Sequence, residues 1–384
     1  MNRHWTINGR FLTQAVTGVQ RYANEILRAL DGLVVRGHPL ARDLSLEVVV
    51  PASASDLPRL DAISVRRFGG LNGHLWEQAS LPFAVRGGLI SLSNSGPVAV
   101  RKQVVCVHDV NTRILPQSYS RKFRALHRVL IPTLGVVAER IATVSHHSAD
   151  QIRRFGIARP DKIIVIGNGH EHALEWRAAH SPATRAVAGR NTIVVIGTVT
   201  PNKNVRLLIG MADQLAQENL QLAVVGATNP RVFGANLTMS QARNVHFLGR
   251  ISEREIAALL QDSLCLAFPS FVEGFGLPPV EAMALGCPTV VSNTSCLPEI
   301  CGDAALYASP ADANEWHERF VQLRDNPALR RSLVDRGYQR TKTYRWSRSA
   351  ELYLEAMAQS DRVTAPPAAF SNQHPETVGS LHAV

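Results

Sequence analysis

Short apolar runs recur along the chain, each followed by a longer stretch whose apolar positions fall at helical spacing. In the first half these runs are Leu46–Val50, Val104–Val107, Ala142–Val144 and Ile163–Ile166. In the second half they are Thr192–Ile196, Leu222–Val225, Val245–Leu248, Leu264–Phe268 and Thr289–Ser292. Runs this short, without polar alternation, predict strands buried on both faces. Strands alternating with helices predict parallel sheets covered by helices, an α/β fold. With 384 residues the chain exceeds one ordinary core, so two doubly wound, Rossmann-like domains are expected. The stretch from 171 to 190 is Ala-rich and charged and lacks strand periodicity, which suits a linker. The expected domains are therefore residues 1–170 and 191–345. Trp346 to Ala358 carries apolar positions at Ala350, Leu352, Leu354 and Met357 and predicts a helix. Residues 361–384, with an Ala-Pro-Pro-Ala-Ala run and scattered polar residues, are predicted to be disordered.

Composition narrows the class. A hydrophobic fraction of 45% with 19% charged residues fits a soluble globular protein. No run of eighteen apolar residues occurs, so no transmembrane helix is expected. The N-terminal Met1 to Asn8 lacks the apolar core of a signal peptide. The five cysteines form no C-x-x-C pair and read as free thiols of a cytoplasmic protein. The net charge of +10 is uneven: residues 1–170 hold 22 Lys/Arg against 11 Asp/Glu. Such asymmetry favours an anionic partner for the first half, unless it is simply a solvated basic face. A phospholipid surface, a lipid-diphosphate acceptor and a nucleic acid all qualify. No helix-turn-helix, zinc-finger or aromatic RNP signature is present, so no nucleic-acid partner is expected.

The densest chemistry lies between Pro269 and Gly286. Glu273 and Glu281 stand eight positions apart, separated by Gly274, Gly276 and the pair Pro278-Pro279. An apolar strand precedes them, and paired prolines suit the first turn of a helix. The segment reads strand, glycine loop, helix. Glu273 then sits at the carboxyl end of a strand and Glu281 roughly one turn into the helix. Gly274 and Gly276 let backbone N–H groups approach a ligand beside the positive end of the helix dipole. A diphosphate fits there, with carboxylates beside it to accept hydrogen bonds from sugar hydroxyls. The competing reading is a plain connection whose acids cap and solvate it. Other candidates also follow strands: His108 after Val104–Val107, and Lys203 six residues after Gly197. Gly18, with Thr17 as a candidate cap, precedes the helix-like Gln20–Leu30. Open α/β sheets bind ligands at such strand ends.

The glutamate pair resembles the E-x7-E motif of family 4 retaining glycosyltransferases of the GT-B fold, bacterial exopolysaccharide or O-antigen type. Further likenesses follow in family order: Thr17–Tyr22, Val107–Asp109, Thr143–Ser145, Gly167–Gly169, Gly197-Thr198, Pro201–Asn204, Phe247–Arg250 and Leu297–Glu299. The resemblance implies an acceptor-side first domain and a donor-side second domain facing across a cleft. It also implies a final helix, residues 346–360, that crosses back to the first domain. It gives Lys203 to the donor diphosphate, Glu281 to the ribose 2′- and 3′-hydroxyls, and Glu273 to the transferred sugar. Gly274, Phe275, Gly276 and Leu277 would add backbone donors, and Gly18 would approach the phosphates from the opposite domain. His108 would lie near the anomeric carbon and Arg250 near the nucleobase. The catalytic set is thus His108, Glu273 and Lys203. Many relatives carry an arginine directly after the glycine at 197, where this chain has Thr198. That leaves Arg206, Arg231 or Arg250 to supply the missing phosphate contact.

The resemblance implies retaining transfer of a hexose from a nucleotide sugar, with GDP-mannose favoured by family frequency. The expected acceptor is a polyprenyl-diphosphate-linked saccharide or growing polysaccharide. Arg121 to Leu130 is basic and partly amphipathic; it suits anionic lipid headgroups, or else packs on its own domain. The expected location is cytoplasmic, peripheral at the inner face of the cytoplasmic membrane. No cofactor or metal is expected: no D-x-D stands at a strand end, and adjacent His146 and His147 have poor ligand geometry. A nucleotide-sugar epimerase or a glycan phosphorylase on the same architecture are the rival enzymes. The phosphorylase would need a pyridoxal lysine and a longer chain.

Overall fold

The computed structural model describes residues 3–55, 57–198, 200–226 and 243–363. Its first sheet contains β1 (Arg3–Asn8), β2 (Leu44–Val50), β3 (Ser64–Arg67), β4 (Gly88–Ser91), β5 (Gln103–Cys106), β6 (Arg140–Thr143) and β7 (Ile163–Val165). The second contains β8 (Thr192–Ile196), β9 (Gln221–Val225), β10 (Val245–Gly249), β11 (Cys265–Phe268), β12 (Thr289–Ser292) and β13 (Ala305–Ala308). The orders are β3-β2-β1-β4-β5-β6-β7 and β10-β9-β8-β11-β12-β13. Within each sheet the paired strands run parallel. In both, the order turns back beside the first strand, so β1 and β8 stand at topological switch points where a crevice opens.

All nine strands expected from the apolar runs are present, with ends displaced by at most two residues. Four others, β1, β3, β4 and β13, carried no such run. β1 is the most consequential, because it is central and its polar Thr6 and Asn8 are buried. They are accommodated by partners far away in sequence: the Asn8 amide donates to Glu77 Oε1 at 2.7 Å and to Ser91 Oγ at 3.2 Å.

Each sheet has its own core. Trp5, Tyr22, Ile26 and Val48 pack in the first; Leu222, Trp316 and Phe320 pack in the second. The helix Trp346–Ser360 lies in the first domain's core through Ala350, Tyr353, Leu354 and Met357, with the Tyr22 and Tyr353 hydroxyls 3.0 Å apart. Its end is pinned. Asp361 accepts from Arg3 Nε at 2.7 Å, Trp5 Nε1 at 2.9 Å and Lys102 Nζ at 2.5 Å. Asp361, expected to begin a disordered tail, is therefore an anchored residue; residues 364–384 lie outside the described ones. Among the described residues no helix is long and apolar enough to cross a membrane, and all five cysteines are buried free thiols.

Candidate active site

Two helix N-termini face each other across the space between the domains. Gly18 opens the helix Gly18–Val35, and a side chain built there would reach within 3.7 Å of Leu277, which opens Leu277–Ala284. Neither helix carries a side-chain cap on its backbone. The Thr17 hydroxyl turns instead to the Gln20 side chain. Gly276, at φ +98°, occupies the cap position of the second helix. Pro278 and Pro279 lack N–H groups, so the donors at that end are concentrated on Gly276 and Leu277. Two uncapped positive helix ends, one from each domain, suit one anion between them.

That space is a cleft of about 380 Å³. The first domain lines it with Gly18, Arg21, His108, Asp109 and Asn168; the second lines it with Lys203, Glu253, Glu281 and the run Glu273–Pro278. Lys203 lies on the short turn Pro201–Lys203 after β8, which Asn204 ends in a left-handed conformation. Its ammonium donates to Glu273 Oε1 at 2.6 Å and lies 5.1 Å from the Phe268 ring centroid.

His108 approaches from the other side, at the end of β5. Its Nε2 must donate to the Leu92 carbonyl at 2.8 Å, since a carbonyl only accepts. Burial lowers its pKa to about 4, although the carbonyl contact works against that. The imidazole is therefore neutral near pH 7, and its Nδ1 is a lone-pair acceptor. Beside it, burial raises the Asp109 carboxyl; Glu273 adds to this and Lys203 opposes it.

The linkage sign for His108 follows directly. An unfolded histidine takes a proton near pH 6.5 and the folded ring only near 4. Its contribution is present above pH 6.5 and is lost as pH falls toward 4, at up to about 1.4 kcal/mol per unit. Urea unfolding at pH 7.5 and 4.5 should show this loss, and H108Q should flatten the slope. An equal slope in both proteins would remove His108 from the effect.

The loop Glu273–Gly276 is gripped by the first domain. Ser145 and Ser148 hydroxyls donate to the Gly274 carbonyl at 2.7 and 3.2 Å. Next to them, the backbone N–H groups of His146 and His147 donate to the two Glu299 oxygens at 2.8 and 2.9 Å. The Ser-His-His-Ser segment thus joins the domains. Among the described residues no group of three or more His, Cys, Asp or Glu side chains is arranged to hold a metal.

The structure brings together Gly18, His108, Lys203, Glu273, Gly274, Phe275, Gly276, Leu277 and Glu281. Thr198, Arg206 and Arg250 are exposed and do not line the cleft, and Arg231 lies outside the described residues. The cation that does reach it is Arg21, paired across the domains with Glu253. Sequence reasoning quoted the stretch holding Arg21 yet assigned it nothing. Glu253 was assigned nothing either, and its pairing with a residue 232 positions away has no local trace.

Residues 177–340 match the family model described as Glycosyl transferases group 1. That match covers a little under half of the chain and includes the whole second sheet, so over this stretch the chain is similar to group 1 glycosyltransferases. Over 261 residues the chain is 26% identical to O-antigen chain mannosyltransferase B of Escherichia coli, covering 65% of this chain and 68% of that one. Over 232 residues it is 32% identical to MMP alpha-(1->4)-mannosyltransferase of Mycolicibacterium hassiacum, covering 57% and 54% respectively. The matched region therefore spans about half to two thirds of these curated relatives. Among solved structures, sucrose-phosphate synthase from Thermosynechococcus elongatus superposes with a TM-score of 0.69 at 18% identity, covering 95% of this chain and all of that one. That likeness gives the fold: two Rossmann-like domains facing across a cleft.

Proposed function

We propose that this glycosyltransferase moves mannose from GDP-mannose, with retention, onto a lipid-linked or growing saccharide in O-antigen or exopolysaccharide synthesis. The observation carrying this is the cleft itself, where Lys203 and Glu273 meet at 2.6 Å between two uncapped helix ends. The mannosyl choice is supported by relatives named as mannosyltransferases.

In this reading the diphosphate lies between the helix ends at Gly18 and Gly276-Leu277, beside the Lys203 ammonium. Charge developing on the leaving nucleoside diphosphate is stabilised there by donors already in place. Glu273 accepts from hydroxyls of the sugar and holds it in place, while His108 Nδ1 accepts from another. The departing phosphate takes the acceptor's proton on the same face of the sugar. No covalent attack by Glu273 is required, since its carboxylate is already bound to Lys203. Glu281 holds the ribose diol. The cationic work falls to Lys203, Arg21 and the helix ends, so we propose catalysis without a metal or cofactor.

A membrane-bound acceptor is supported by the helix Arg121–Val137. Arg121, Lys122, Arg124 and Arg128 are exposed on it together with Phe123, Leu126 and Val129, while His127, Leu130, Ile131 and Leu134 face the core. Basic side chains beside exposed apolar ones suit an anionic lipid surface, which would put the enzyme at the inner face of the cytoplasmic membrane.

The test is incubation of the purified chain with GDP-mannose, UDP-glucose or dTDP-rhamnose, with and without a polyprenyl-diphosphate-linked saccharide in anionic vesicles. Acceptor-dependent transfer from GDP-mannose, α-configured by NMR and unaffected by EDTA, is expected. Conversion of the free nucleotide sugar without an acceptor would replace the reading with an epimerase. Transfer that ignores vesicle charge would remove the lipid surface.

A further inference from the structure

The linker places a buried residue behind Glu281, which lines the cleft, and the functional reading so far leaves it unused. His172 is 3% exposed and lies between Glu281 and Trp346. Indole Nε1 has only a hydrogen to give, so Trp346 donates to His172 Nδ1, at 3.0 Å. A neutral ring accepting at Nδ1 carries its proton on Nε2. That proton faces Glu281 Oε1 at 2.9 Å. The tryptophan therefore fixes the tautomer, and the tautomer fixes the direction of the bond to the carboxylate.

Trp346 is itself held. Its backbone N–H donates to both Glu171 carboxylate oxygens, at 3.1 and 3.0 Å. His170 Nδ1 donates to the Tyr344 carbonyl at 2.7 Å. Three consecutive residues at the junction of first domain and linker thus grip the start of the helix that returns to the first domain. Through His172 the same grip reaches Glu281, which lines the cleft.

We propose that His172 is a positioning residue for the nucleotide's ribose. It anchors Glu281 Oε1 and aims the carboxylate at the ribose hydroxyls in a single orientation, set by the Trp346 indole. This rests on the assignment of Glu281 to the ribose and adds the group that aims it. An unanchored glutamate on a helix samples several rotamers, and the diol would then have to pay for ordering it.

The experiment is calorimetric titration of the full chain with GDP, UDP and their 2′-deoxy forms. Wild type is expected to prefer the ribo form of the base it binds by about tenfold, a difference of one hydrogen bond to a charged group. H172L should lose about tenfold in affinity for that nucleotide and most of the ribo preference. H172Q should keep both, because its Oε1 can accept from Trp346 while its Nε2 donates to Glu281. W346F keeps the aromatic bulk but frees the ring proton to move to Nδ1, so its preference should fall between the two. A merely packing role would not be rescued by glutamine. If E281A loses the preference while H172L and W346F retain it, the positioning role is overturned and the ribose assignment stands. If wild type and E281A both treat ribo and deoxy forms alike, the ribose assignment itself fails. Should H172L not fold, a wild-type preference in W346F overturns the proposal by itself.

Discussion

Replacing Lys203 with alanine is expected to lower turnover at saturating donor by about 10²- to 10³-fold, the range seen when a preorganised charge partner is removed from a developing anion. Lys203 and Arg21 are the cationic side chains lining the cleft, and Arg21 is already tied to Glu253. Of the two, Lys203 is the one against the carboxylate proposed to hold the sugar, bonded to Glu273 at 2.6 Å. In the structure that carboxylate balances the ammonium; a bound diphosphate would compete for it and draw it further as the leaving charge grows. The side chain is a quarter exposed and emerges from a surface turn, so its loss should leave the fold intact. K203R should recover part of the rate, because it keeps the charge but not the point geometry. Stopped turnover assays beside thermal melts decide the matter. Activity within a few-fold of wild type, with normal melting, would take Lys203 away from the diphosphate.

How much of this was legible in the sequence depends on how local the signal is. Strands buried on both faces announce themselves as apolar runs, and nine of the thirteen did so. β1 did not, because Arg3, Thr6 and Asn8 interrupt its apolar residues. Their burial is tolerated in part through Asp361, Arg86, Glu77 and Ser91, which lie 69 to 358 positions away. The same division holds in the cleft. Glu273, Gly274, Gly276 and Glu281 share one strand-loop-helix segment, so their spacing could be read directly. Lys203 and His108 each follow a recognisable strand. Arg21 with Glu253, and His172 with Trp346 and Glu281, are contacts between domains or from linker to domain. No periodicity encodes them. The resemblance pointed to a missing cation after Gly197 but sought it within the second domain, whereas the cleft receives Arg21 from the first.

The glycine at 274 gives the second large expected effect, through the distance between domains. A Cβ built there would lie 2.5 Å from the His108 carbonyl oxygen and 3.4 Å from Asp109 Cβ. Backbone cannot yield as a flexible side-chain end can, so G274A must push the loop away from β5. That movement would also loosen the Ser145 and Ser148 hydroxyls from the Gly274 carbonyl. His108 and Glu273 belong to opposite domains, and a shift of about 1 Å between reacting partners can cost roughly 10²-fold in rate. Turnover in G274A should therefore fall by about that factor. Nucleotide affinity should change much less, since Lys203 and Glu281 both remain in the second domain with the helix Leu277–Ala284. Measuring kcat beside the nucleotide dissociation constant separates the two, and small-angle scattering should show a more open particle. Full activity in G274A would mean that the catalytic arrangement does not need this close approach of the Gly274 loop to His108.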